Sequence, residues 1–342
     1  METELDNTVY IERNINIQNI THLQQYKYLD KFIYIMGERH NIVSVLCPVE
    51  PITVAEYISI ALLTNDKADF IAEQTSYGKL ENLISSNIRS TYETIKSSSL
   101  IREDRYKYAE YRPLFFWPDN THLLNNLYYA RINEIGENTI TYIINSFIKP
   151  FFNKQKLLEF ENNHVFLNLQ EDVKEGIREV KGQIYDDFVS IKEELVEFRE
   201  TSKHFFENIN SINDINIKEI KEDIFKYTLD VINRIRFLWL RVNDYFILPD
   251  LFDTRQSETF LLMGSHHSEN LRNIFENFNQ KNIPVIMLRN YENPEGCINI
   301  LTPIHLYGEN ISATLSQIEA IQNKKDYTDY EKEIIDLLRN DL

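Results

Sequence analysis

Apolar and polar positions repeat with two different periods along the chain, and each period predicts a type of element. Three short runs rich in β-branched and aromatic residues predict strands, the third stopped by a proline: residues 31–37, 68–73 and 106–112. Residues 53–64 have helical spacing behind Thr53, and Glu56 follows three residues later, which is the pattern of a capping box. Residues 79–96 predict a second, more polar helix. Strands that alternate with helices predict a parallel sheet with right-handed crossovers.

The pattern changes in the middle of the chain. From about residue 121 to 253 the apolar positions keep helical spacing, without a convincing strand. Residues 170–208 predict one long charged helix and residues 216–248 a second with an apolar face, which together suggest a helical hairpin. Strand patterns return at residues 258–264 and, as a second buried run, at 283–288, with a helix over 271–278 between them.

The sequence therefore predicts an α/β protein with a mostly parallel sheet flanked by helices and a long all-helical insertion. The predicted core is discontinuous and consists of residues 1–120 and 254–310, the insertion is 121–253, and two helices follow in 311–342. Residues 1–30, which are polar with scattered Ile and Tyr, predict a short arm and a capping helix.

Charge and composition narrow the classes of partner. The net charge of −17 argues against binding to a phosphate backbone or to anionic lipid, both of which need a basic face. We therefore expect no nucleic-acid partner and, since no apolar run is long enough, no membrane span. Hydrophobic residues make up 43% of the chain, which is enough for a real core. Plentiful Asn, Ile, Lys and Tyr point to an AT-rich genome, viral, parasitic or bacterial.

The cysteine content bears on the compartment. Cys47 and Cys297 are the only cysteines, so we expect no disulfide framework, and two thiols in a chain of this length fit a reducing compartment. The acidic N-terminus lacks the pattern of a signal peptide. The expected location is the cytoplasm, or the host cytoplasm or virion if the chain is viral.

Two segments of the chain share one motif whose residues could take part in chemistry. The strand at 31–36 ends in Gly37-Glu38-Arg39-His40, and the strand at 258–263 ends in Gly264-Ser265-His266-His267. Ligands of parallel α/β sheets bind outside the carboxyl ends of strands, and glycine permits a sharp turn or a close backbone approach there. Two such sites in one chain are a more specific signal than one, and they make His40 and His267 candidates for a shared pocket.

Further polar residues fall at the ends of the predicted second and third strands. Glu73 ends the second strand, and Glu110 and Arg112 lie two residues apart near the end of the third, on one face. Arg112 is suited to holding a carboxylate or a substrate oxyanion. It would reach His40 if the third strand lay beside the first. Salt bridges or helix caps are the structural alternatives for these side chains.

Together these motifs resemble the Tiki/TraB and erythromycin-esterase/ChaN superfamily, whose members pair an early and a late Gly-x-x-His on one α/β scaffold. The resemblance covers residues 31–113 and 258–290. It implies site residues at the positions that match: Glu38, His40, Glu73, Arg112 and His267. Because two histidines are adjacent in the late motif, His266 is the alternative to His267. The helical insertion has no counterpart in the enzymes of the family.

These residues favour a hydrolase acting on an ester or peptide bond in a small molecule or peptide. Two routes to an activated water stay open. His40, His267 (or His266) and Glu73 could bind a divalent metal such as Mn, Co or Zn. Without metal, a His–Glu pair could act as general base while Arg112 stabilises the oxyanion.

Other interpretations remain. The long charged helices favour a non-catalytic virion or host-interaction protein that binds a partner, or itself, through the insertion. A haem carrier is a third alternative, because some members of the superfamily bind haem and tyrosine is abundant. Three further histidines lack a second ligand nearby and are interpreted as structural: His122, His164 and His204.

Overall fold

A computed structural model describes residues 12–38, 47, 51–73, 86–109, 111, 137–154, 158–159, 163–207 and 214–303 of the 342. In this part of the chain the strands are β1 (Glu12–Gln18), β2 (His22–Tyr28), β3 (Lys31–Glu38), β4 (Ile52–Thr53), β5 (Ala68–Ala72), β6 (Tyr106–Tyr108), β7 (Glu258–Gly264), β8 (Val285–Glu292) and β9 (Cys297–Pro303). The helices are α1 (Val54–Thr64), α2 (Ser86–Ser97), α3 (Glu137–Ile143), α4 (Lys149–Lys154), α5 (His164–Leu167), α6 (Glu171–Glu207), α7 (Asp214–Leu251) and α8 (Ser265–Gln280). A π-helical turn, Ile144–Ile148, joins α3 to α4.

The main sheet has six strands in the order β6-β5-β7-β3-β2-β8. Its first four strands are parallel, while β2 pairs antiparallel with both β3 and β8. Helices and a long helical region accompany it, so the predicted mixed α/β class with a mostly parallel sheet is confirmed. The late strand β7 lies between β3 and β5, because its buried apolar run fits the centre of a sheet covered on both faces.

The strand order shows whether the third predicted strand lies beside the first. The third predicted strand was expected to bring Arg112 to His40 only if it lay beside the first. In the structure β6 lies at the far side of β5 and β7 from β3, so the condition is not met. The strand is also shorter than predicted, since it ends at Tyr108. Beyond it, the Tyr111 N–H donates to Asn243 Oδ1 of α7 at 2.8 Å, and therefore joins no sheet ladder.

The N-terminal region forms strands, so the predicted arm and capping helix are wrong where the structure describes it. β1 pairs parallel with β4 and antiparallel with β9 in a second, three-stranded sheet. Its alternation explains why: Ile15 and Ile17 are buried, whereas Asn16 and Gln18 between and after them are partly exposed. This period of two is the pattern of a half-buried strand, which the scattered polar residues obscured.

Local signals in the first helix were read correctly. Thr53 Oγ1 accepts from the Glu56 N–H at 3.1 Å, and the Glu56 carboxylate accepts from the Thr53 N–H at 2.5 Å. This reciprocal capping box begins α1 at Val54, as predicted. The start of α2 at Ser86 is later than the predicted residue 79, but residues 79–85 lie outside those described.

The long helices of the middle region are also confirmed. α6 and α7 match the two predicted helices closely, and the described residues between 121 and 253 contain helices and no strand. Their core is aromatic: Phe188 of α6 stacks on Phe151 of α4 at 3.7 Å between ring centroids, and Trp239 of α7 meets both rings edge-on. The predicted helices at 311–342 lie outside the described residues.

The chain divides into two compact units. The α/β unit comprises Met1–Tyr108, Thr254–Asn279 and Pro284–Leu342, and the helical unit comprises Ala109–Asp253 and Gln280–Ile283. None of the described helices is both long and apolar enough to cross a membrane.

Two expectations from composition and pattern are corrected. Cys47 and Cys297, expected as free thiols, form a disulfide, because the fold brings their Cα atoms to 5.6 Å, within the range that a disulfide spans. The run at 283–288, expected as a buried strand, contains the start of β8 at Val285, at the edge of the main sheet, and only Ile283 and Val285 of its apolar residues are buried. Ile286, Met287 and Leu288 are exposed there, since only β2 pairs with β8 among the described strands.

Candidate functional site

The carboxyl ends of three neighbouring strands bring the described parts of both motifs together. β3 and β7 are adjacent and parallel, with Glu38 opposite Gly264, so the two strand–Gly-x-x-His constructions begin side by side. β5 flanks β7 on its other side, and the Glu73 N–H donates to the Leu262 carbonyl at 2.9 Å. The parallel arrangement therefore collects Glu38, Glu73 and the start of α8 at one edge of the sheet.

At this edge Glu73 and His267 are in direct contact. Glu73 Oε1 lies 3.2 Å from His267 Nε2, and Glu73 Oε2 accepts from the Gly264 N–H at 2.9 Å. The side chains are 6% and 2% exposed, respectively. A carboxylate is only an acceptor, so a hydrogen bond across this contact has its proton on His267 Nε2. One buried acid is thus paired with one buried histidine.

The local sequence explains this placement. Gly264 ends β7 and Ser265 begins α8 with no residue between them, so His267 lies in the first turn of the helix. The first N–H groups of a helix have no partner within it, and an acid beside them is favoured. Glu73, one residue beyond β5, supplies that acid and reaches the ring of His267 with its other oxygen.

Gly37, the glycine of the first motif, allows α8 to approach β3 closely. A Cβ at this position would lie 2.7 Å from Ser268 Oγ and 3.1 Å from Ser265 Cα. Only a residue without a side chain fits this gap, so the prediction of a close backbone approach holds for Gly37. Gly37 of the first motif therefore makes room for α8, the helix that follows the glycine of the second motif.

Glu38 is buried at the same edge, but alternation directs it elsewhere. Gly37 faces α8, so the next side chain along the strand points to the other face of the sheet, the face of Tyr34 and Met36. Glu38 is 2% exposed. The described strands thus bring Glu73 and His267 into contact and direct Glu38 away from α8, and a pocket shared by all three stays a prediction.

Other candidate residues have different outcomes. His266 is exposed, whereas His267 is buried against Glu73, so the two adjacent histidines have distinct environments. His164 is exposed on α5. Several candidates lie outside the residues whose side chains are described: His40, Glu110, Arg112, His122 and His204. Their roles stay predictions.

Two polar residues at this edge were not identified from the sequence. His22 lies opposite Gly37 on β2, and its Nδ1 is 2.9 Å from Thr21 Oγ1. Ser268 is fully buried, with its hydroxyl against Gly37. The overlooked signal for His22 was the period-two pattern of β2, which was interpreted as part of an arm. Ser268 had a signal in its position directly after His267.

Two of the predicted metal ligands, Glu73 and His267, are in direct contact. A metal-bound nitrogen has no proton to donate, so His267 Nε2 can either donate to Glu73 or bind a metal, but not both at once. The third predicted ligand, His40, lies outside the described residues, so the metal set stays a prediction. Among the described side chains, no group of three or more His, Cys, Asp or Glu is placed to hold a metal ion.

Comparison with known proteins adds no relative: the chain matches no protein-family model, no curated protein and no solved structure. The resemblance to the Tiki/TraB and erythromycin-esterase/ChaN superfamily therefore depends on the motif residues alone.

Proposed function

We propose that the chain is a hydrolase of ester or peptide bonds in which His267, oriented by Glu73, activates water at the carboxyl ends of β3, β5 and β7. The observation that supports this proposal is the 3.2 Å contact between Glu73 Oε1 and His267 Nε2. A carboxylate that accepts one ring proton holds the histidine in a single tautomer and stabilises its charged form, which is the arrangement that general-base histidines use.

The proton path follows from the tautomer. The oxygen of water forms a bond to the carbonyl carbon of the substrate while its proton passes to His267 Nδ1. Glu73 then stabilises the imidazolium, and the same proton is returned to the leaving group as its bond to carbon breaks. This route needs no metal ligand from Glu73.

A second candidate function is a non-catalytic interaction protein. The observation that favours it is the exposed apolar surface of the long helices, where Phe237 of α7 is 58% exposed and Val196 of α6 is 39% exposed. Exposed large apolar residues on long charged helices fit a surface for a protein partner or a second copy. In that case Glu73 would act as a buried cap for α8, through its bond to the Gly264 N–H.

Hydrolysis of a panel of esters and peptides by the untagged protein tests the first proposal. Glu73→Gln and His267→Gln are each expected to lower kcat/KM by about 10²–10⁴, the typical contribution of a general base. His266→Gln is the matched control, because His266 is the exposed neighbour, and it should stay within about threefold of wild type. A large loss in His266→Gln alone would assign the base to His266.

The pH profile and metal content complete the test. Turnover should fall on acidification, because a doubly protonated ring has no acceptor at Nδ1. Elemental analysis and a chelator, followed by added Mn, Co or Zn, separate the two routes to activated water. Equal turnover in wild type and both site variants, with unfolding midpoints showing that all are folded, would contradict the proposal. Absence of hydrolysis across the panel would favour the interaction protein.

A further inference from the structure

The strand β8 forms one edge of the main sheet and presents apolar side chains to solvent. Among the described strands β2 is its only partner, so no strand of this part of the chain lies on its outer side. Ile286, Met287 and Leu288 are consecutive, and they are 55%, 36% and 45% exposed. Scattered exposed apolar residues are ordinary, but three in a row on a sheet edge form a template for a further strand.

The exposed apolar side chains lie on both faces of the sheet. Ile286 and Met287 pair with consecutive residues of β2, so they point to opposite faces. Between Met287 and Arg289 the register with β2 shifts, so Leu288 is an extra residue in a β-bulge. A strand added to this edge would therefore meet apolar side chains above and below its own backbone.

The opposite edge of the same sheet differs from β8. β6, at that edge, has only three residues, Tyr106–Tyr108, and the middle one is Lys107. Short edge strands and lysines are devices by which proteins prevent pairing with other chains. β8 has eight residues, and its first charged residue is Arg289, after the apolar run. The sheet thus has one protected edge and one edge suited to pairing.

The charge around β8 indicates the chemistry of a strand that would cover it. Glu292 ends β8 and Glu276 lies on α8; both side chains are at least half exposed, and each lies 4.0 Å from Arg272. Glu295, in the turn after β8, is also exposed. Arg289 is the only cation of β8 itself, and the whole chain has a net charge of −17. A second copy would bring the same negative charge, whereas a basic segment would be attracted.

We propose that the outer edge of β8 binds an extended peptide segment of another protein, one with consecutive bulky apolar residues and a basic end. The segment adds to the six-stranded sheet as a further strand. Antiparallel addition places its basic end beside Glu292 and its apolar residues beside Ile286, Met287 and Leu288. Main-chain hydrogen bonds supply affinity, and the apolar and acidic contacts supply selectivity. This interaction does not depend on hydrolysis at the proposed site.

A synthetic peptide tests the proposal on the whole chain. Two lysines, three threonines and then Val-Ile-Val place a lysine opposite Glu292 and the apolar residues opposite Leu288, Met287 and Ile286. Fluorescence anisotropy of the labelled peptide should show saturable binding with a Kd below about 1 mM. The same peptide should slow amide hydrogen exchange in β8 and leave exchange in β6 unchanged.

Variants of the protein locate the contact. Ile286→Ser with Leu288→Ser should weaken binding at least about tenfold, because the apolar contacts are lost while the strand is kept. Tyr108→Ser is the matched control, since Tyr108 is 48% exposed at the opposite edge, and its affinity should stay within about twofold of wild type. Glu292→Gln should weaken binding by about two- to fivefold and reduce its salt dependence. Unfolding midpoints verify that each variant is folded.

Variants of the peptide separate the other interpretations. Replacing its isoleucine by proline should abolish binding, because proline cannot donate a main-chain hydrogen bond. Replacing its lysines by glutamates should weaken binding at least about fivefold at low salt. Equal binding of either altered peptide, or unchanged affinity in the serine double variant, would overturn the proposal. Self-association of wild type that the serine double variant abolishes, without peptide binding, would assign the edge to a second copy and overturn it as well.

Discussion

The strands β5 and β7 hold a buried acid at each end, and the two acids have different partners. At the amino end, Asp69 Oδ1 accepts from Thr259 Oγ1 at 2.5 Å, and Lys107 Nζ lies 3.9 Å from Asp69 Oδ2. At the carboxyl end, Glu73 is bound by a backbone N–H and by the ring of His267. The same pair of strands thus presents one acid to a hydroxyl and a lysine, and the other to a histidine.

This difference separates a structural end from a candidate chemical one. A hydroxyl and a lysine keep their protons near neutral pH, so Asp69 is held by partners that do not change. Histidine is the side chain that exchanges protons in that range. Buried acids are weak evidence for stability alone, but the partner indicates which of them could move a proton.

Of the substitutions that test this difference, Arg105→Met at the amino end is expected to change the free energy of unfolding most. Arg105 is buried, and it donates to the Leu62 carbonyl at 2.6 Å and to the Ala68 carbonyl at 2.9 Å, which closes the end of α1. Removing it leaves buried carbonyls without this donor and should lower the free energy of unfolding by about 3 kcal/mol. Urea denaturation measures the loss. Turnover per folded molecule should not change.

Arg102→Met is the matched control for Arg105→Met. Arg102 pairs with Asp104 at 3.1 Å, but both side chains are at least 70% exposed, so its loss should be hardly measurable. If the two variants lose equal stability, the amino end is not held by its buried arginine. A loss of turnover in folded Arg105→Met would show that the two ends are not functionally separate.

A smaller effect is expected from Thr259→Val. The hydroxyl is fully buried and donates to Asp69, so valine keeps the shape but removes the donor from a buried carboxylate. The free energy of unfolding should fall by about 1–3 kcal/mol. Thr259→Ser, which restores the hydroxyl, should recover most of it. Equal midpoints for the valine and serine variants would mean that this hydrogen bond does not stabilise the amino end.

The smallest change in the free energy of unfolding is expected for Glu194, an acid outside this strand pair. It shows how little a contact at the surface contributes. Arg234 of α7 binds the Glu194 carboxylate of α6 through two nitrogens, at 2.6 and 2.9 Å, and these bonds hold the pKa of Glu194 below its ordinary value. Both side chains are more than a third exposed, so Glu194→Gln should cost at most about 1 kcal/mol at pH 7.

The pH dependence of that small effect has a definite sign. A lowered pKa in the folded state adds stability above the ordinary glutamate pKa, and the stability is lost as the pH falls through the lowered value. The difference in unfolding midpoint between wild type and Glu194→Gln should therefore shrink as the pH falls below about 4. A difference that persists at lower pH would mean that the substitution acts through packing.

Patterns with one clear period were readable from the sequence. The buried runs of β3, β5 and β7 and the two long helices have many residues of one period, so noise at single positions does not change the outcome. The capping box of α1 was readable because its two hydrogen bonds are made within four residues. The polar residues at strand ends followed from the same runs.

What the sequence did not reveal depends on contacts between distant segments. The exposure of Ile286 follows from the edge position of β8, which the strand's own composition does not encode. The disulfide depends on a separation of 250 residues that only the fold closes. The contact of Glu73 with His267 joins residues 194 apart. Strand ends indicated these two as candidates, but their contact depends on β7 lying next to β5.

The central position of β7 has a consequence for how the chain is made. Residues 73–257 separate β5 from β7. During translation β3 and β5 therefore leave the ribosome long before β7, the strand that lies between them, is synthesised. The main segment of the helical unit, Ala109–Asp253, has been made by then, and because it is one continuous stretch of chain it can fold first. During that interval the early strands have open edges, which are prone to pair with other chains. Synthesis of this protein therefore leaves the candidate site strands β3 and β5 prone to aggregation until the last quarter of the chain emerges.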